Sequence, residues 1–94
     1  MRIDMTAEHI RDGVPSSEDR CPIALACRAA GLKVSIGSKC AWVYDHRGHP
    51  IALDLPPRAR QFVWAFDHRM SPIHDDSVQP FSFELDAGFM ISAV

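Results

Sequence analysis

The stretch Leu32-Lys-Val-Ser-Ile-Gly-Ser-Lys-Cys-Ala-Trp-Val-Tyr-Asp-His-Arg-Gly-His-Pro-Ile-Ala-Leu-Asp-Leu55 decides the fold class. Leu32, Val34 and Ile36 alternate with polar residues, so an extended segment here has one apolar face. Gly37-Ser-Lys39 reads as a turn, and Cys40–Tyr44 as a second strand antiparallel to the first. Trp42 and Tyr44 share one face of that strand and are expected in the core, wholly or in part, with the Tyr44 hydroxyl reaching water. Asp45–Pro50 makes a further turn, and Ile51, Leu53 and Leu55 align on a third strand.

Upstream of this meander, Arg2–Met5 alternates and reads as a short strand. Thr6 is placed to cap a brief helix, Ala7–Asp12, that Gly13 stops. After a polar connection, Val14–Asp19, a second helix spans about Arg20–Ala30. Glu18 and Asp19 sit near its positive end, Pro22 suits its first turn, and Gly31 the position after its last. Its body is apolar nearly all round except for Arg28, which predicts a buried helix.

Downstream, Pro56-Pro57 opens a third helix that runs to about Arg69. Ala59, Phe62, Val63, Phe66 and Met70 form its apolar stripe. Pro80–Leu85 alternates again, and Asp86-Ala-Gly88 leads to either a last strand, Phe89–Ala93, or a frayed tail. The order is β-α-α-β-β-β-α-β, with or without a final β. This predicts one α+β domain over residues 1–94: an antiparallel sheet of four to six strands with three helices on one face.

Composition narrows the function classes. The chain is 47% hydrophobic and 23% charged, which is globular rather than disordered. The longest apolar run, Cys21–Cys27, is seven residues, far short of the roughly 18 of a membrane span. Arg2, Asp4 and Glu8 stand where a secretory signal needs an apolar core, and three cysteines are an odd number. Both features predict reduced thiols in a cytoplasm. Net charge is −2, unevenly spread: three cations against five anions over residues 1–20, seven against three over 21–70, none against four over 71–94. A dedicated nucleic-acid domain is more basic than this, and a mimic of DNA more acidic.

No arrangement of residues carries a catalytic motif. Cys21 and Cys27 are six apart, on different helix faces, with no Cys-x-x-Cys. His46, His49, His68 and His74 flank two turns without ligand spacing. The expectation is therefore no metal and no other cofactor. Ser16 and Ser17 lack the surroundings of a nucleophile elbow and read as helix-capping residues. Cys21 has one physical argument for reactivity, its place at a helix start, where the dipole lowers a thiol pKa. Its alternative role is to pack the start of that helix. Asp75-Asp76 in a polar loop reads as solvated.

Trp64 is more informative. It lies about 140° around the third helix from the apolar stripe, beside Arg60 and near Gln61, Asp67 and His68. Either another part of the chain covers that ring, or a partner does, and Trp beside Arg is the composition of an interface hot spot. Arg47 joins these residues as a candidate contact. The segment Phe89–Val94 is uncharged and carries four bulky apolar side chains, so it is expected to pair as a strand or to join two copies as a homodimer.

Four segments carry a family resemblance: Ile3-Asp-Met-Thr-Ala-Glu-His-Ile-Arg-Asp-Gly13, Cys21-Pro-Ile-Ala-Leu-Ala26, Phe66-Asp67, and Pro80-Phe-Ser-Phe-Glu-Leu85. Together they resemble a set of short proteins from phages and bacterial genomes with a Thr-x-Glu-His-Ile-x-x-Gly, Cys-Pro-Ile-Ala-Leu-Ala, Pro-Phe-Ser-Phe pattern. The resemblance implies a mobile-element context, and it transfers no catalytic residue. Small non-enzymatic proteins of such elements often bind a host protein, antagonists of CRISPR and other defences among them.

The expectation is thus a protein-binding module, not an enzyme, acting on a host protein or complex by steric occlusion. Two alternatives stand beside it. One is a nucleic-acid-associated protein using Arg47, Arg58, Arg60 and Arg69. The other is a metal- or thiol-dependent enzyme built on Cys21 and the histidines.

Overall fold

Thr6 ends the first strand and starts the first helix through reciprocal hydrogen bonds. The His9 N–H donates to Thr6 Oγ1 at 3.3 Å, and the Thr6 N–H donates to His9 Nδ1 at 3.1 Å. Histidine takes the place that Glu or Gln usually holds in such a capping box. This junction separates β1 (Arg2–Met5) from α1 (Ala7–Asp12). The computed structural model describes residues 1–68 and 78–86. The remaining elements are α2 (Pro22–Ala29), β2 (Lys33–Ile36), β3 (Cys40–Tyr44), β4 (Pro50–Asp54), α3 (Pro57–Asp67) and β5 (Phe81–Glu84). The order is the one read from the sequence. The expected last strand and tail contact, with Arg69, Met70 and His74, lie outside the described residues. Among the described residues no helix is long and apolar enough to cross a membrane.

The five strands divide between two antiparallel sheets. One pairs β1 with β5, setting Ile3 opposite Phe83; the other has the order β2-β3-β4. Hydrogen bonding at the β2 edge explains why the strands do not join into one sheet. Gly37 donates to the Cys40 carbonyl at 2.9 Å, so Gly37 belongs to the hydrogen-bonded pairs with β3, and by alternation the Ile36 N–H points to the outer edge. There it donates to the Glu18 carbonyl at 2.7 Å. The connection before α2 thus occupies the edge that another strand would need.

The same alternation fixes the far edge. Asp45 N–H to His49 carbonyl and Leu55 N–H to Lys39 carbonyl both bond between β3 and β4, at 3.0 and 3.1 Å. Ile51 and Leu53 therefore direct their backbone groups toward β3, while those of Pro50, Ala52 and Asp54 face outward. No described residue pairs with that outer edge.

Helix α2 packs on β2, β1 and α1, and so ties both sheets to one core. Pro22, Ile23, Ala24, Ala26 and Cys27 are buried on it, as its apolar body predicted. Gly31, at φ +94°, ends the helix in the left-handed conformation that glycine adopts without penalty. Gly13 has a different reason to be glycine. A Cβ there would lie 2.5 Å from the ring of Pro22, so its smallness lets the end of α1 press against the start of α2.

The core faces of the meander are Val34 and Ile36 on β2 and Ala41 and Val43 on β3. Trp42 therefore points the other way and is 44% exposed, contrary to the core position expected for it. Tyr44 shares that outer face, half-buried, with its hydroxyl 3.5 Å from Ser35 Oγ. On α3 the stripe is Ala59, Phe62 and Val63, with Phe66 half-buried and stacked on Phe62 at 5.6 Å between centroids. Phe62 also meets Phe81, which anchors α3 to β5.

Candidate functional site

Pro56 and Pro57 set the backbone that opens α3. Pro57 needs no N–H at the first helical position, and Pro56 adds no side-chain cap. Just before them, the Leu55 N–H bonds the Lys39 carbonyl. That bond holds the β2–β3 turn beside the start of α3, so one loop and one helix face enclose a groove of about 650 Å3. Pro57, Val63 and Trp64 supply its apolar surface, and Ser38 and Lys39 its opposite wall.

Trp64 is 58% exposed, the largest exposure of any big apolar side chain among the described residues. His68, one turn on, stacks against it at 4.2 Å between ring centroids, with His68 Nδ1 2.7 Å from the Trp64 carbonyl oxygen. No described part of the chain covers the outward face of the pair. Of the six contact residues expected from sequence, five line the groove: Trp64, Arg60, Gln61, Asp67 and His68. Arg47 does not. It sits in the β3–β4 turn, at the opposite end of β3 from Lys39. There its backbone N–H donates to Asp45 Oδ1 at 2.8 Å, in a loop that Gly48 closes at φ +82°. The His49 N–H, and to a lesser degree the Arg47 N–H, bond the Asp45 carboxylate and hold its pKa below the usual carboxylate range.

Asp67 has a structural task as well. Its Oδ1 accepts the Ser16 N–H at 2.9 Å, holding Ser16 in the left-handed region at φ +57°. Lys39 and Arg60, by contrast, form no ion pair with any described residue. Pro57 and Val63 also line the groove, although the sequence places them only as helix opener and apolar stripe; Ser38 and Lys39 are the lining residues that sequence reasoning did not connect with α3 at all. They belong to a tight turn more than twenty positions before Trp64, and only the fold brings the two together.

The groups behind the alternative readings are dispersed. Arg58 lies over the Phe81 ring at 4.3 Å, and on a helix two residues apart means nearly opposite faces, so Arg58 and Arg60 do not form one surface. Cys21 caps α2, its Sγ accepting the Ala24 N–H at 3.4 Å. It is only 5% exposed, and burial raises its pKa despite the helix start. Burial likewise pushes the Cys27 thiol up to about 12. No described histidine lines the recess beside Cys21. Among the described residues no three of His, Cys, Asp and Glu come together as a metal would require.

No protein-family model matches the chain, no curated protein matches it in sequence, and no solved structure matches its fold.

Proposed function

We propose that this chain is a non-enzymatic protein-binding module whose contact surface is the groove beside Trp64. In this reading it belongs to a phage or other mobile element and works in the host cytoplasm. It occupies a surface of a host protein or complex, as an inhibitor of a defence system such as CRISPR interference would. The observation that carries the reading is the exposure of Trp64. An indole left in water on a largely apolar groove contributes little to folding, yet gives up all its solvent contact to a partner, which is how hot-spot residues act. The dispersal of the arginines favours a protein partner over nucleic acid. A homodimer through Phe89–Val94 is part of the same proposal.

The test is capture from host lysate on the immobilised chain, beside a Trp64→Ala bait, with recovered proteins identified by mass spectrometry. A partner retained by the wild-type chain and lost from the variant is expected, with one-to-one stoichiometry in its inhibition. Identical protein sets on both baits would overturn the Trp64 surface. Binding that collapses with salt and tracks added DNA or RNA would transfer the function to nucleic acid.

A further inference from the structure

Resting on that protein-binding reading, we infer that the groove takes an acidic segment of its partner. Such a segment would be a short stretch with an aromatic or branched aliphatic side chain against Trp64 and carboxylates on either side of it.

The charges around the groove carry this step. Lys39 stands on one wall and Arg60 on the other, neither ion-paired with a described residue. The one carboxylate of the lining, Asp67, already accepts the Ser16 N–H. Two permanent cations thus face the groove against one engaged anion, although the whole chain has a net charge of −2. The patch is a local reversal of sign. Arg60 also sits in the opening turns of α3, which contain no acidic residue in the first turn to offset the positive helix end. An anionic partner would relieve both repulsions, and a cationic one would add to them.

The shape speaks for a chain segment over a small molecule. A volume of about 650 Å3 is within the range of ligand clefts. Such clefts enclose their ligand, however, whereas Trp64 at 58% exposure leaves the groove open along the helix. An open apolar floor with cations at its rim fits a segment laid across it. The apolar contact would supply affinity, and the rim charges would supply specificity and association rate.

The probe is a displayed library of random twelve-residue peptides, selected on the intact wild-type chain, on Trp64→Ala, and on a Lys39→Glu/Arg60→Glu double variant. Enriched peptides are then labelled and titrated by fluorescence anisotropy, after each variant is shown to keep the wild-type denaturation midpoint. Peptides rich in Asp and Glu around one large apolar residue are expected on the wild-type chain. Their affinity should fall about tenfold or more on the double variant, and it should weaken as salt rises. The double variant should itself enrich neutral or basic peptides. Peptides that depend on Trp64 but show no acidic excess would overturn the charge inference and leave the protein-binding groove standing. Peptides indifferent to Trp64 would remove both. A selection that enriches nothing also counts against a segment as the occupant.

Discussion

The imidazole of His68 stacks on the indole of Trp64, its centroid 4.2 Å away and its plane 20° from parallel, one helical turn further along α3. The stack fixes the rotamer of an exposed ring and so lowers the entropy cost of presenting it to a partner. Trp64→Ala is expected to change stability by less than about 1 kcal/mol and to weaken partner binding by about 2 kcal/mol or more. Chemical denaturation and a binding titration measure the two effects. Emission from Trp64 in a Trp42→Phe background should be that of a solvated indole and quenched by iodide.

Phe62 is the opposite case, fully buried and touching both Phe66 and Phe81. Phe62→Ala should cost about 3–5 kcal/mol, because the ring leaves a cavity between α3 and β5. The half-buried Phe66 should cost distinctly less on the same change. Equal losses in urea denaturation would mean that α3 is rotated about its axis from the orientation described.

The thiols give a pH dependence with a definite sign. The Cys27 proton is held up to about 12 in the folded chain, whereas an unfolded thiol loses it near about 8.5. Between those values the unfolded state binds fewer protons. The contribution of Cys27 to stability is therefore complete below the lower value and declines as pH rises toward the upper one. Cys21, also raised by burial, acts in the same direction. Denaturation midpoints measured from neutral to strongly alkaline pH should fall less steeply in Cys27→Ala than in the wild-type chain. In the native protein a thiol reagent should modify half-buried Cys40 first, and all three cysteines only after unfolding.

Gly13 and Gly31 separate two reasons for glycine. An alanine at Gly13 has acceptable dihedral angles but drives its methyl carbon into Pro22, an overpacking expected to cost about 1–3 kcal/mol. Alanine at Gly31 meets no neighbour, and its cost of about 1–2 kcal/mol comes from the left-handed backbone alone. Pro22→Ala should relieve only part of the first, because the backbone nitrogen of residue 22 stays 2.8 Å from the added carbon, and leave the second unchanged, which a double-mutant cycle reads directly.

Local pattern explains what could be read without coordinates. The alternation through Leu32, Val34 and Ile36, the Thr6 cap and the Pro22/Gly31 bracket each act over a few residues, and those elements stand where their chemistry puts them. Trp42 was misplaced because bulk is a poor guide to direction. The small residues Ala41 and Val43 face the core and leave the large ring outside. The division into two sheets was hidden because it depends on one hydrogen bond from Ile36 to Glu18 and on pairing β1 with a strand some eighty residues later. The Trp64 side of the groove followed from the helical period, whereas its Lys39 wall depends on the Leu55–Lys39 bond across the sheet.

The outer edge of β4 offers two backbone donors, from Ala52 and Asp54, because Pro50 has none. A foreign strand laid there would find a missing rung at one end and a carboxylate at the other. Copies stacking edge to edge would repeat that defect at every step. A short strand with Ile51 and Leu53 only half-buried would otherwise be a template for fibre growth. Proline and aspartate at its two ends therefore disfavour edge-to-edge stacking of copies of the chain through β4.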